Sequence, residues 1–129
     1  MDEILDLQEV VISNLNNDIF NFKKLLHPNN SLVWRNCHNL KIIIGSTINK
    51  LQFIKCSNIT IKIKKAISGM EIYKSKNIKI KTSPKCPLNY LDIYQSSLSL
   101  YINKMDETAL TIVYDKSSII KIINSSEKA

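Results

Sequence analysis

Three kinds of residue in this sequence could carry chemistry: a small Cys/His set, a pair of adjacent carboxylates, and a large population of lysines. Cys37, His38 and Cys56 are the types that hold zinc, which takes thiolate and imidazole ligands. In an extended chain, however, Cys37 and His38 point to opposite sides, so small residues at a corner explain them better than a ligand set. Asp106 and Glu107 could serve acid–base work. Neighbours in a strand also point apart, and a solvated loop is the better reading. Glycine occurs only at Gly45 and Gly69, which excludes a Walker loop and a dinucleotide fingerprint, since both need several glycines. The expectation is no catalytic residue, no metal and no cofactor.

What must position the lysines is a repeat. Cys37, Cys56 and Ser75 lie 19 residues apart, and so do Asn39, Asn58 and Asn77. Leu40, Ile59 and Ile78 keep the interval, as do Ile42, Ile61 and Ile80; Leu51 with Met70 and Phe53 with Ile72 repeat it further along. QSSLSLYI, with Ser96, Leu98 and Leu100, is a fourth copy after a slip of one or two residues, and KSSIIKII from Lys116 is a fifth. A fixed period near 20 is the mark of a solenoid. Within ITIKIKK, Ile59, Ile61 and Ile63 alternate with Thr60, Lys62 and Lys64, and this period of two predicts strand. Nineteen strand residues trace about 60 Å, the circumference of one β-solenoid coil.

The fold expected is therefore an all-β, parallel β-solenoid with coils of about 19–20 residues. Residues 1–129 form one domain, with 1–31 as an N-terminal coil or cap. Ile4, Leu7, Val11 and Leu15 also fit a helix face, so both forms stay open there. Leu40, Ile59, Ile78 and Leu98 would stack as one inner column, and Ile42, Ile61, Ile80 and Leu100 as a second. The three asparagines sit at a corner, where left-handed backbone suits them. Cys37 and Cys56 fall on adjacent rungs, about 5 Å apart at Cα and inside disulfide range, so that mild oxidation would join them.

Charge follows the repeat. Residues 32–104 hold thirteen bases against two acids, whereas the flanking segments are slightly acidic and the whole chain carries +7. Lys41 and Lys79 take one outward column, interrupted by Thr60, and Lys62 and Lys81 take the next, with Lys64 and Tyr101 on the same face. A solvated lysine face is the plain explanation. Like charges opposed across a sheet are unfavourable, however, and an acidic partner rationalises them. Nucleic acid fits poorly, because Arg35 is the only arginine and no aromatic pair sits among the lysines. The acidic start MDEILDLQ lacks a signal pattern, and no apolar run approaches 18 residues. With three cysteines and no dense framework, the expectation is a protein of the cytoplasm that does not enter membranes.

The ordered series NCHNLKIIIGSTINKLQFIKCSNITIKIKKAISGMEIYKSKNIKIK, then SSLSLYINK, TALTIV and DKSSIIKII, resembles the C-terminal domain of the cyclase-associated proteins. That family shows short strands, a cysteine or serine near an asparagine or lysine, an "IN" corner matched by Ile48-Asn49, and a late motif matched by Lys116-Ser117-Ser118. The likeness is to the short, single-domain form found in apicomplexan parasites. It implies a right-handed parallel β-solenoid that binds monomeric actin, prefers ADP-actin, and promotes nucleotide exchange or sequesters monomers in association with the cytoskeleton. From the charge pattern, Lys41, Lys62, Lys64, Lys79, Lys81 and Tyr101 would form the actin-binding face. Ser118, Ile119, Ile120, Lys121, Ile122 and Ile123 form a terminal strand with apolar residues on both faces, which predicts a homodimer there, in keeping with the family's habit. The tubulin cofactor C domain shares the fold and supplies an arginine to small GTPases, but its glutamine two residues before that arginine is replaced here by Val33. A purely scaffolding solenoid is the remaining alternative.

Overall fold

The computed structural model describes residues 9–22, 27–82, 88–102, 110–116 and 119–124. The chain lays its strands down in pairs: β1 (Glu9–Ser13) and β2 (Asn16–Phe22), β3 (Ser31–Arg35) and β4 (His38–Ile48), β5 (Lys50–Ile54) and β6 (Ser57–Ala66). The series continues with β7 (Met70–Tyr73) and β8 (Lys76–Thr82), β9 (Tyr90–Tyr94) and β10 (Ser97–Ile102), β11 (Thr111–Asp115) and β12 (Ile119–Asn124). Odd strands pair in sequence order into one six-stranded sheet and even strands into a second. Every pairing is parallel. Each circuit of the chain thus adds one strand to each sheet, which is a β-solenoid.

The period-two pattern sets the faces. In β6 the isoleucines at 59, 61 and 63 are buried while Lys62 and Lys64 are exposed. The register stacks Leu40 on Ile59, Ile59 on Ile78 and Ile78 on Leu98, and beside them Ile42, Ile61, Ile80 and Leu100 in the same order. The odd-strand sheet supplies the facing columns Leu51–Met70–Leu91 and Phe53–Ile72–Ile93. None of these side chains is more than 3% exposed. At about 1.5–3 kcal/mol for each fully buried aliphatic side chain, these columns hold rung to rung. The expected slip has two parts: β9 sits 21 residues after β7, whereas β10 sits 20 after β8.

Residues 9–13 and 16–22 are strand with a corner between them, which decides for strand over that stretch. Val11 lies in β1, Leu15 packs against the core from the corner, and Ile4 and Leu7 lie outside the described residues. Aromatic stacking overrides the helical spacing: Phe20 and Phe22 meet Trp34 edge-on at 5.3 and 6.3 Å, and Trp34 stacks on Phe53 at 6.4 Å.

Corners explain the repeated small residues and asparagines. Asn14, Asn36, Lys55, Lys74, Gln95 and Lys116 all have left-handed backbone, and so do Asn17, Asn39, Asn58 and Asn77 three residues after the first four of these sites. Asparagine enters that region at little cost, whereas lysine there costs about 1–2 kcal/mol. The asparagines then form a ladder. Asn77 donates to Asn58 (2.6 Å), Asn58 to Asn39 (3.0 Å) and Asn39 to Asn16 (2.9 Å) through their side-chain amides. Beside it, Ser75 Oγ accepts from the Cys56 amide and Ser96 Oγ from the Ser75 amide, both at 3.0 Å. At the opposite corner, Gly69 adopts φ 91°, and an added Cβ would meet the Tyr90 Cβ at 2.8 Å as well as the Tyr90 carbonyl oxygen.

Cys37 and Cys56 are free and 0% and 2% exposed, with Cys56 Sγ 3.3 Å from the Trp34 carbonyl oxygen. Burial pushes the Cys56 thiol up to about 11. Since the thiolate is the reactive species, this burial makes Cys56 slow to react near neutral pH and opposes the easy oxidation expected from spacing alone. Iodoacetamide at pH 8 should leave Cys56 unmodified over hours in the folded protein and alkylate it in minutes in guanidinium; rapid native labelling would contradict the packing. The linkage has a definite sign. An unfolded thiol ionises near pH 9 while the buried one stays protonated, so Cys56 withdraws stability between about pH 9 and 11 and has no such effect below that window.

Candidate functional site

The outer face of the even-strand sheet is built from the residues that alternate with the core columns. Across β2, β4, β6, β8 and β10 the register reads Ile19, Lys41, Thr60, Lys79, Ser99 in one column. The next reads Asn21, Ile43, Lys62, Lys81, Tyr101. Lys41, Lys62, Lys64, Lys79 and Lys81 are all exposed, and Tyr101 is half-buried. Lys62 and Lys81 are directly paired on adjacent strands, which stand about 4.8 Å apart. Lys81 Nζ lies 5.9 Å from the centre of the Tyr101 ring, within reach of a cation–π contact. Among the described residues none of the five lysines forms an ion pair within 4 Å; the one between side chains that does form, at 3.2 Å, joins Lys50 to Glu71 on the other sheet. The structure therefore brings together the lysines singled out from the sequence, on a rigid surface with rung spacing.

A feature of this face escaped the sequence reading. β4 bulges between Ile44 and Thr47, where Gly45 and Ser46 interrupt the register with β6. Beside the bulge lies an open depression of about 520 Å³ lined by Ile43, Ile44, Gly45, Lys62, Ile63, Lys64 and Thr82. A glycine inside the run IIIGSTI was the available signal, since glycine in a strand often marks a bulge.

The metal reading of the corner is replaced by hydrogen bonding. His38 Nδ1 is 2.7 Å from Ser57 Oγ and its Nε2 is 3.1 Å from Asn36 Oδ1, so both ring nitrogens face neutral polar partners. Among the described residues no group of three or more His, Cys, Asp or Glu could hold a metal ion, and no helix is long and apolar enough to cross a membrane. Asp106 and Glu107 lie outside the described residues. Ammonium groups held at the ends of flexible stems act as point charges, so what this face offers is attraction for an anionic surface.

The terminal strand is in place as backbone. β12 pairs with β10, with Ile119, Ile120, Lys121, Ile122 and Ile123 opposite Ser97, Leu98, Ser99, Leu100 and Tyr101. Ile120 and Ile122 thereby take the register of the core columns, and β12 is the last strand of its sheet. Ser118 lies outside the described residues.

The comparisons fit this architecture. A sequence family described as "Adenylate cyclase associated (CAP) C terminal" matches residues 5–129. No curated protein matches the chain. C-terminal domains of that family are non-catalytic and bind actin. With a β-solenoid of the expected register and a match over nearly its whole length, this chain belongs to the family of cyclase-associated protein C-terminal domains.

Proposed function

We propose that this chain binds monomeric actin, prefers the ADP-bound form, and either promotes nucleotide exchange or withholds monomers from polymer. The observation that carries the reading is the family match over residues 5–129. The lysine columns supply a physical counterpart, since actin is acidic and the exposed ammonium groups on β4, β6 and β8 form no ion pairs among the described residues. A ligand alters exchange only if it favours one state of its target, and a face whose strands are locked in register suits that role. The test is a titration of fluorescently labelled ADP-actin, followed by displacement of a fluorescent nucleotide from actin. Saturable binding with faster displacement supports exchange, and saturable binding with slower displacement supports sequestration. No binding at any concentration removes actin.

Assembly is a second part of the proposal. β12 is the last strand of its sheet, and an open strand edge is a template for another chain. A homodimer through Ile119–Ile123 would cover it. Light scattering should give twice the chain mass at micromolar concentration, falling to the single mass for Ile119→Asp. A single mass for the unaltered protein would remove the dimer.

A further inference from the structure

We infer that the outer face of the odd-strand sheet, from β7 to β11, is a docking surface for an arginine-bearing segment of a second protein partner. Actin binding, proposed for the lysine columns, uses the other sheet. Met70, Ile72, Leu91 and Ile93 are buried in the core columns, so the residues that alternate with them point outward. In register these pair Glu71 with Asp92 and Tyr73 with Tyr94, and β11 adds Val113 beside Asp92 and Asp115 beside Tyr94. Tyr90 extends the group along β9. β7, β9 and β11 contain no lysine or arginine, in a chain that carries +7.

The partner's chemistry follows from charge, rings and shape. Glu71 is held by Lys50 at 3.2 Å and Gln52 at 2.6 Å. Asp92 forms no ion pair within 4 Å among the described residues, and the Tyr73 hydroxyl reaches it only at 3.5 Å. Burial first, and then the carboxylates of Asp92 and Glu71, push the Tyr73 hydroxyl above its ordinary range, which marks a local field that favours cations. Tyr73 and Tyr94 meet edge to face with ring centres 6.0 Å apart, and both are half-buried. A guanidinium stacks on such rings and pairs with a carboxylate through its planar fork, whereas an ammonium group offers only a point charge. Tyrosine is also a residue in which interfaces are enriched, and Val113, 46% exposed, adds apolar area beside Asp92. Side chains standing on a sheet do not enclose a small molecule. An extended segment laid across the strands meets a carboxylate or a ring at each step of about 4.8 Å. The two sheets turn their outer faces away from each other, so an acidic partner on the lysine columns leaves this face open.

The probe is a fluorescein-labelled peptide of four Arg-Gly repeats, with four Lys-Gly repeats as its counterpart, followed by fluorescence anisotropy. The arginine peptide should bind saturably and at least fivefold more tightly than the lysine peptide. Asp92→Lys and Val113→Lys, which each place a cation on the face, should weaken it at least tenfold. Tyr94→Ser, which removes one ring of the pair, should weaken it about fivefold. Lys62→Glu/Lys81→Glu, on the other sheet, should bind it no less tightly than the unaltered protein. Unfolding midpoints within a few degrees show which variants remain folded. Val113 is well exposed near the end of its sheet, so its replacement tests the face even if Asp92→Lys unfolds. No saturable binding, equal affinity for the two peptides, or equal affinity for the unaltered protein and Val113→Lys would overturn the inference. It would fall too if light scattering showed Val113→Lys to halve the mass of the unaltered protein, since a second copy would then be the occupant.

Discussion

Replacing Lys62 and Lys81 together by glutamate is expected to weaken binding of ADP-actin by about a hundredfold in low salt. These two are the directly paired lysines of the outer face, one on each of two neighbouring strands. An exposed charge pair contributes up to about 1 kcal/mol. Reversal both removes two attractions and installs two repulsions, so a loss of about 3 kcal/mol follows, and each 1.4 kcal/mol is tenfold. The change should fall mainly on the association rate, as mutation of exposed interface charges generally does. The fold should survive, since both side chains are exposed and two opposed carboxylates repel no more than two opposed ammonium groups. Equal affinity for the double variant and the unaltered protein, at matched low salt, would take the lysine columns out of the interface and move attention to the odd-strand sheet.

The largest stability loss should come from Ile61→Ala. Ile61 is 0% exposed and stacks between Ile42 and Ile80 in the middle of the even-strand sheet. Truncating a buried isoleucine costs about 2–5 kcal/mol, because the transfer energy is lost and the hollow does not collapse fully. In a stack the hollow faces both neighbouring rungs, which places the effect toward the upper end. A domain with about 5–15 kcal/mol of total stability has little to spare. Ile19→Ala is the control: Ile19 is 68% exposed on β2, and its truncation should shift stability by no more than about 0.5 kcal/mol. Urea midpoints that moved equally for the two variants would mean that the columns do not hold the rungs.

The middle rungs were legible because stacking forces equivalent residues to resemble each other. Leu40, Ile59 and Ile78 share one column and Asn39, Asn58 and Asn77 share one corner ladder, so packing and hydrogen bonding both write the same interval into the sequence. The first rung escaped that logic. β1 and β3 are offset by 22 residues, not 19, and β2 is anchored by Phe20 and Phe22 against Trp34, so no repeated word announces it. The lysine face could be read because outward residues alternate with the columns. The depression could not, because the one extra residue at Gly45-Ser46 shows up as noise against the period while in space it shifts the register of two strands. Spacing gave the rung of Cys56, but only packing shows how deeply the thiol sits and hence how far its ionisation is suppressed.

Each strand of this molecule pairs with the one laid down about 20 residues before it. As the chain leaves the ribosome, a new rung therefore needs only its predecessor, already outside the exit tunnel, to complete its hydrogen bonds. Most β architectures must wait for distant partners and expose unpaired edges meanwhile. Here each new rung closes the edge left by the rung before it, and synthesis itself advances that edge. Folding can then proceed in the order of translation, and a stalled or shortened chain keeps the rungs already closed.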